Sequence, residues 1–173
     1  MARQPRRRRF VLVAALSLAV AAAFGTTASA DSDTAAMTAT LSSAEEVPAN
    51  DSLARGMAVF NLSADGSSLD YSLSVANLND TLQAHIHIAP PGVNGPVVVF
   101  LYPSAPPAQL IPGRFSGILM TGTITAADLR GPLAGMTLDD LMAHIRAGNA
   151  YVNAHTVQFP GGEIRGQIVT HGS

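Results

Sequence analysis

Cysteine and lysine are both absent from the 173 residues, so disulfide stapling and thiolate metal sites are excluded and every basic residue is an arginine. Glycines and prolines crowd positions 90–96, yet with no lysine and no helix following they do not form a phosphate loop. Nucleophile elbows of the Gly-x-Ser-x-Gly kind are missing, as are paired carboxylates at a recognisable spacing. The common hydrolase signatures are therefore not here. Acidic residues are lacking from the first thirty positions, which hold five of the ten arginines. The rest of the chain sets five arginines against twelve acids, a net −7 that argues against nucleic acid or an anionic membrane as partner.

Long apolar runs are scarce too. Phe10 to Phe24 is the longest, and its fifteen residues fall short of the ~20 needed to span a bilayer. With Arg6 to Arg9 before it and Ala28-Ser29-Ala30 after it, it reads as an export signal over residues 1–30. Arg7-Arg8-Arg9-Phe10-Val11 also fits a twin-arginine signal, and an ordinary secretory signal rich in arginine reads equally well. The expected product is a soluble protein outside the cytoplasm, periplasmic, extracellular or at the cell surface. Its domain runs over 38–170, with a flexible start at 31–37 and a tail at 171–173. A chain of this size suits one core.

What is present is strand pattern. Gly56 to Ser63 and Ser68 to Leu78 are β-rich runs joined by Ala64-Asp65-Gly66-Ser67, a hairpin signature. Met37 to Leu41, Leu82 to Ile88, Val97 to Tyr102, Arg114 to Thr125, Ala150 to Thr156 and Glu163 to Thr170 complete the set. Tyr102 to Gly113, with four prolines and no periodicity, reads as a surface loop. One helix is expected between Thr137 and Ala147, where Thr137 and Asp140 make a capping box and Leu138, Leu141, Met142 and Ile145 an apolar stripe. A shorter helical turn is expected over Ala126 to Leu129. Seven or eight strands with one short inserted helix predict an all-β, immunoglobulin-like or superoxide-dismutase-like β-sandwich.

Three late segments alternate with a period of two. Ile86, Ile88, Val152, Ala154, Ile164 and Ile168 turn to the core, which leaves His85 and His87, Tyr151, Asn153 and His155, and Glu163, Arg165 and Gln167 on the other face. Neutral imidazole suits copper and zinc, and His85, His87 and His155 can offer three nitrogens to one ion. The plainer reading is a solvated or hydrogen-bonded sheet face. Arg165 would steer an anion or pair with Glu163 or another acid, while Glu163, Gln167, Tyr151 and Asn153 would orient the histidine rings. His144, one turn from Asp140, suits a surface ion pair, and His171 lies in the tail.

Ala84-His85-Ile86-His87 with Pro91-Gly92-Val93-Asn94-Gly95-Pro96, then Ala147-Gly148-Asn149-Ala150-Tyr151-Val152-Asn153-Ala154-His155-Thr156 and Pro160-Gly161-Gly162-Glu163-Ile164-Arg165-Gly166-Gln167, closely resemble the CHRD domain. That domain was first described in the vertebrate protein chordin and occurs in many exported bacterial proteins. The resemblance spans about Thr38 to Val169 and implies no defined activity, since chordin's growth-factor binding involves its other domains. His85-Ile86-His87, the later His155 and Gly162-Glu163-Ile164-Arg165-Gly166 are also similar in order to the copper ligands and active-site arginine of copper/zinc superoxide dismutases. The histidine-rich loop that supplies their bridging ligand and zinc site has no counterpart here. Three functions follow as expectations: a copper-binding module, with zinc as the alternative ion; a copper redox enzyme acting on superoxide; or a metal-free module that meets an extracellular protein through the 102–113 loop and the sheet face.

Overall fold

The computed structural model describes Met1 and residues 36–171. The export signal expected over 1–30 and nearly all of the expected flexible start lie outside those residues.

Eight strands form one sheet: β1 (Met37–Ser42), β2 (Arg55–Leu62), β3 (Leu69–His87), β4 (Val97–Tyr102), β5 (Ile111–Ile124), β6 (Tyr151–Thr156), β7 (Ile164–Gln167) and β8 (Val169–Thr170). The neighbour order β2-β1-β7-β6-β3-β4 closes on itself because β2 also pairs with β3, so the all-β sandwich has a barrel-like seam. The hairpin expected at Asp65-Gly66 is present, with Leu62 opposite Leu69 and Arg55 opposite Ala76.

Two strands expected on either side of residue 80 are one strand of 19 residues. Asn77 and Asp80 adopt left-handed backbone, φ 64° and 53°, and the pairing register shifts around them. Asn and Asp tolerate that region better than branched residues do. Both are held: Asn77 Oδ1 accepts from Arg114 at 2.6 Å, and Asp80 Oδ1 accepts from the Gly113 N–H at 2.7 Å. The bend lets one strand serve two walls. Its first half pairs with β2 and β5, its second with β6 and β4.

Between the walls lie Leu41, Phe60, Leu69, Leu73, Ile86, Leu101, Val152 and Ile164, all fully buried. The single α-helix among the described residues, α1 (Leu138–Arg146), starts at Thr137 with the expected capping box and packs Leu138, Leu141, Met142 and Ile145 against the same core. The shorter turn is a 3₁₀ helix, Ala126–Asp128, capped in the same way by Thr125 and Asp128. The last expected strand breaks at Ile168, whose side chain is buried and whose N–H bonds Ala150 O at 2.9 Å. Among the described residues no helix is long and apolar enough to cross a membrane.

The bend at 77–80 yields a test. Asn77→Val places a branched side chain at positive φ and is expected to cost about 1–3 kcal/mol, with Asn77→Gly costing clearly less, in urea unfolding followed by circular dichroism. Equal losses would show that the Arg114 bond, and not the backbone conformation, holds the bend.

Candidate functional site

On β3 and β6 the alternation works as expected: Ala84 and Ile86, with Val152 and Ala154, point into the core, and His85, His87, Tyr151, Asn153 and His155 point away from it. That outward face is not wet. His85, His87 and His155 are 3 %, 7 % and 6 % exposed, and every residue of β6 is buried. The reason is a roof of loops. The carbonyl of Gly95 lies 2.9 Å from His87 Nδ1 and that of Pro160 lies 3.0 Å from His155 Nδ1, while Asn94 reaches across to Val47 O at 2.9 Å.

These carbonyls fix the tautomers. A carbonyl only accepts, so Nδ1 of His87 and of His155 each donate a hydrogen, and a neutral ring then keeps its lone pair on Nε2. His85 Nδ1 lies 3.1 Å from His155 Nε2 and donates to it. That leaves His85 Nε2 as a buried lone pair with no hydrogen-bond partner. His87 Nε2 lies 3.0 Å from Asn153 Oδ1, a contact that becomes a hydrogen bond to the neutral ring when the amide turns its NH₂ inward. One donor nitrogen from each of the three rings falls within 4.8 Å of the other two. Metal–nitrogen bonds of about 2.0–2.1 Å put ligand nitrogens roughly 3–3.5 Å apart, so His85 Nδ1 and His155 Nε2 are at ligand spacing, and Nδ1 would ligate once its hydrogen moves to Nε2.

Burial dominates the titration of all three rings. It holds His85 down at about 3, helped by the neighbouring His155 and His87, and His155 down at about 4 against the opposing Pro160 bond. His87 is lowered as well, burial outweighing its bonds to Gly95 and Asn153. At neutral pH the rings carry no charge.

The Tyr151 ring stacks on His87, 4.9 Å between centroids and 4° between planes, and the Arg165 guanidinium sits 4.1 Å from the Tyr151 centroid. Phe100 of β4 closes the other flank, edge-on to His85 at 4.9 Å. Arg165 pairs with Glu46 at 3.0 Å, not with Glu163, and also donates to Val93 O and Asn94 Oδ1. Both charged side chains are almost fully buried. Burial lifts the Glu46 carboxyl above the usual carboxylate range in spite of Arg165, in keeping with an Oε1 that has no hydrogen-bond partner. Those donors are engaged inside the roof, while Arg165 Nε is buried with no hydrogen-bond partner.

Two expected ring-orienting roles fall elsewhere. The Glu163 carboxylate accepts from Ser52 at 2.6 Å and Thr156 at 2.6 Å, and the Gln167 amide donates to Ala89 O and Gly148 O; neither touches a histidine. Backbone carbonyls take their place. Asn153 does meet His87, and Tyr151 does so by stacking. Glu46, Gly95, Phe100 and Pro160 were missed, because a residue that acts through its carbonyl or from a distant loop leaves no periodic mark in the sequence. Gly95 had one local clue in its Asn-Gly-Pro setting, and the structure shows why glycine is needed there: a Cβ would come within 2.1 Å of Ile88 O.

The family model of the CHRD domain matches residues 37–168. The chain belongs to the CHRD-domain family. The match takes in all three histidines, the Gly95 and Pro160 loops and Glu46, so the whole roofed site lies inside the domain. No curated protein and no solved structure matches the chain.

The buried neutral rings set the acid stability of this CHRD domain. Unfolded, each histidine protonates near pH 6.5; folded, it resists until pH approaches about 4 for His155 and about 3 for His85. Between those limits the unfolded state binds more protons, so stability is full above 6.5 and falls on acidification, by up to about 1.4 kcal/mol per pH unit per histidine. Urea midpoints at pH 7.5, 6 and 5 should fall steadily, and a flat profile would mean that the rings are not buried neutral.

Proposed function

We propose that this protein is an exported CHRD-domain module that binds one transition-metal ion, copper in preference to zinc, through His85, His87 and His155. One observation carries the reading: His87 and His155 each spend Nδ1–H on a backbone carbonyl, which leaves Nε2 as the ligand nitrogen, and one ring nitrogen from each of His85, His87 and His155 lies within 4.8 Å of the other two. Ligating histidines are commonly oriented this way, the second nitrogen anchored to an acceptor. Neutral rings also spare the ion any competition with protons at neutral pH. The donor set contains only imidazole nitrogen, which fits copper or zinc and disfavours calcium or magnesium.

In this reading the domain stores, buffers or hands on the ion outside the cytoplasm, delivered there by the signal at residues 1–30. Tyr151, Asn153 and Arg165 are the support that keeps His87 in place.

Isothermal titration of the domain freed of metal is expected to show one ion bound per chain. His87→Ala should weaken binding by more than the roughly 10–100-fold that loss of an outer hydrogen-bond partner costs. Heat from copper and zinc no greater than that of a variant lacking all three histidines would remove the proposal.

A further inference from the structure

We infer that the centre takes copper as Cu(I) in preference to Cu(II) or any other divalent ion, an inference that rests on the metal reading above. The first ground is charge. Three neutral imidazoles give an ion no negative charge, and among the described residues no carboxylate joins their cluster. The two acids nearest in the network are committed elsewhere, Glu46 to Arg165 and Glu163 to the hydroxyls of Ser52 and Thr156. A cation is set against the site, since the Arg165 guanidinium lies 4.1 Å from the centroid of the Tyr151 ring that stacks on His87.

The cost of burying an ion rises with the square of its charge, so a dication in this setting meets about four times the desolvation cost of a monocation. The second ground is coordination. Zn(II) completes its shell with a fourth ligand, a water in open sites, and Cu(II) adopts tetragonal arrangements. Here the rings are 3–7 % exposed, the Phe100 edge closes on His85, and the carbonyls of Gly95 and Pro160 are already occupied by ring N–H groups. Three nitrogens in a dry enclosure suit the filled shell of Cu(I), which is content with three ligands.

The experiment is a set of anaerobic competition titrations of the wild-type domain with Cu(I), Cu(II) and Zn(II) against chelators of known affinity, together with voltammetry of the copper-loaded protein. Cu(I) is expected to bind at least 100-fold more tightly than Cu(II), which places the copper couple about 120 mV or more above that of the aqueous ion. Cu(II) or Zn(II) bound as tightly as Cu(I) would overturn the inference and leave the metal site standing. No binding of any of the three would overturn both. Glu46→Gln removes the counter-charge from Arg165 and should raise the Cu(I)/Cu(II) ratio about tenfold; Arg165→Gln, if it folds, should lower it by a similar factor and Arg165→Lys restore it. A ratio unmoved in folded variants would exclude the guanidinium as the source of the preference.

Discussion

One buried guanidinium joins the parts of this molecule that matter for its chemistry. Arg165 projects from β7, lies on the Tyr151 ring of β6, and gathers Glu46 from the loop after β1 together with Val93 and Asn94 from the loop after β3. That junction acts with the bonds from His87 and Tyr151 to Gly95, from His155 to Pro160 and from Asn94 to Val47 in drawing the loops over a polar sheet face. The loops close, and the closure turns an ordinary row of strand histidines into an enclosed cluster. A buried ion pair is weak evidence for stability, because its desolvation cost rivals its attraction. Its service here is positional: it fixes where Gly95 sits, and Gly95 fixes which nitrogen of His87 carries the hydrogen.

The strand pattern, the hairpin at Asp65-Gly66, the capped helix and the outward direction of His85, His87 and His155 were all legible in the sequence, because each is a local property written in period two, in turn chemistry or in a capping pair. The merging of two strands into β3 was not. A run such as Leu78-Asn79-Asp80-Thr81 looks like a break, and only the tertiary bonds of Asn77 to Arg114 and of Asp80 to Gly113 make it a bend within a strand. The dryness of the site was invisible for a related reason. Alternation tells which face a residue takes, and nothing about whether the loop that follows the strand folds back to cover that face, as those of Gly95 and Pro160 do.

Membership in the CHRD family and the geometry of the cluster speak to different questions. The family gives the extent of the domain, and the geometry gives the chemistry that its sheet face can support. Neutral rings of fixed tautomer, a stacked tyrosine and covering loops make that face an enclosed, uncharged imidazole cluster.

The shared strand β3 has a mechanical meaning. Since Leu69 to His87 is one strand, the two walls share a backbone, and a displacement at the hairpin end has a covalent path through the bend at 77–80 to the imidazoles at the other. A partner that gripped the β2–β5 side would thus hold a lever on the histidine cluster without touching it.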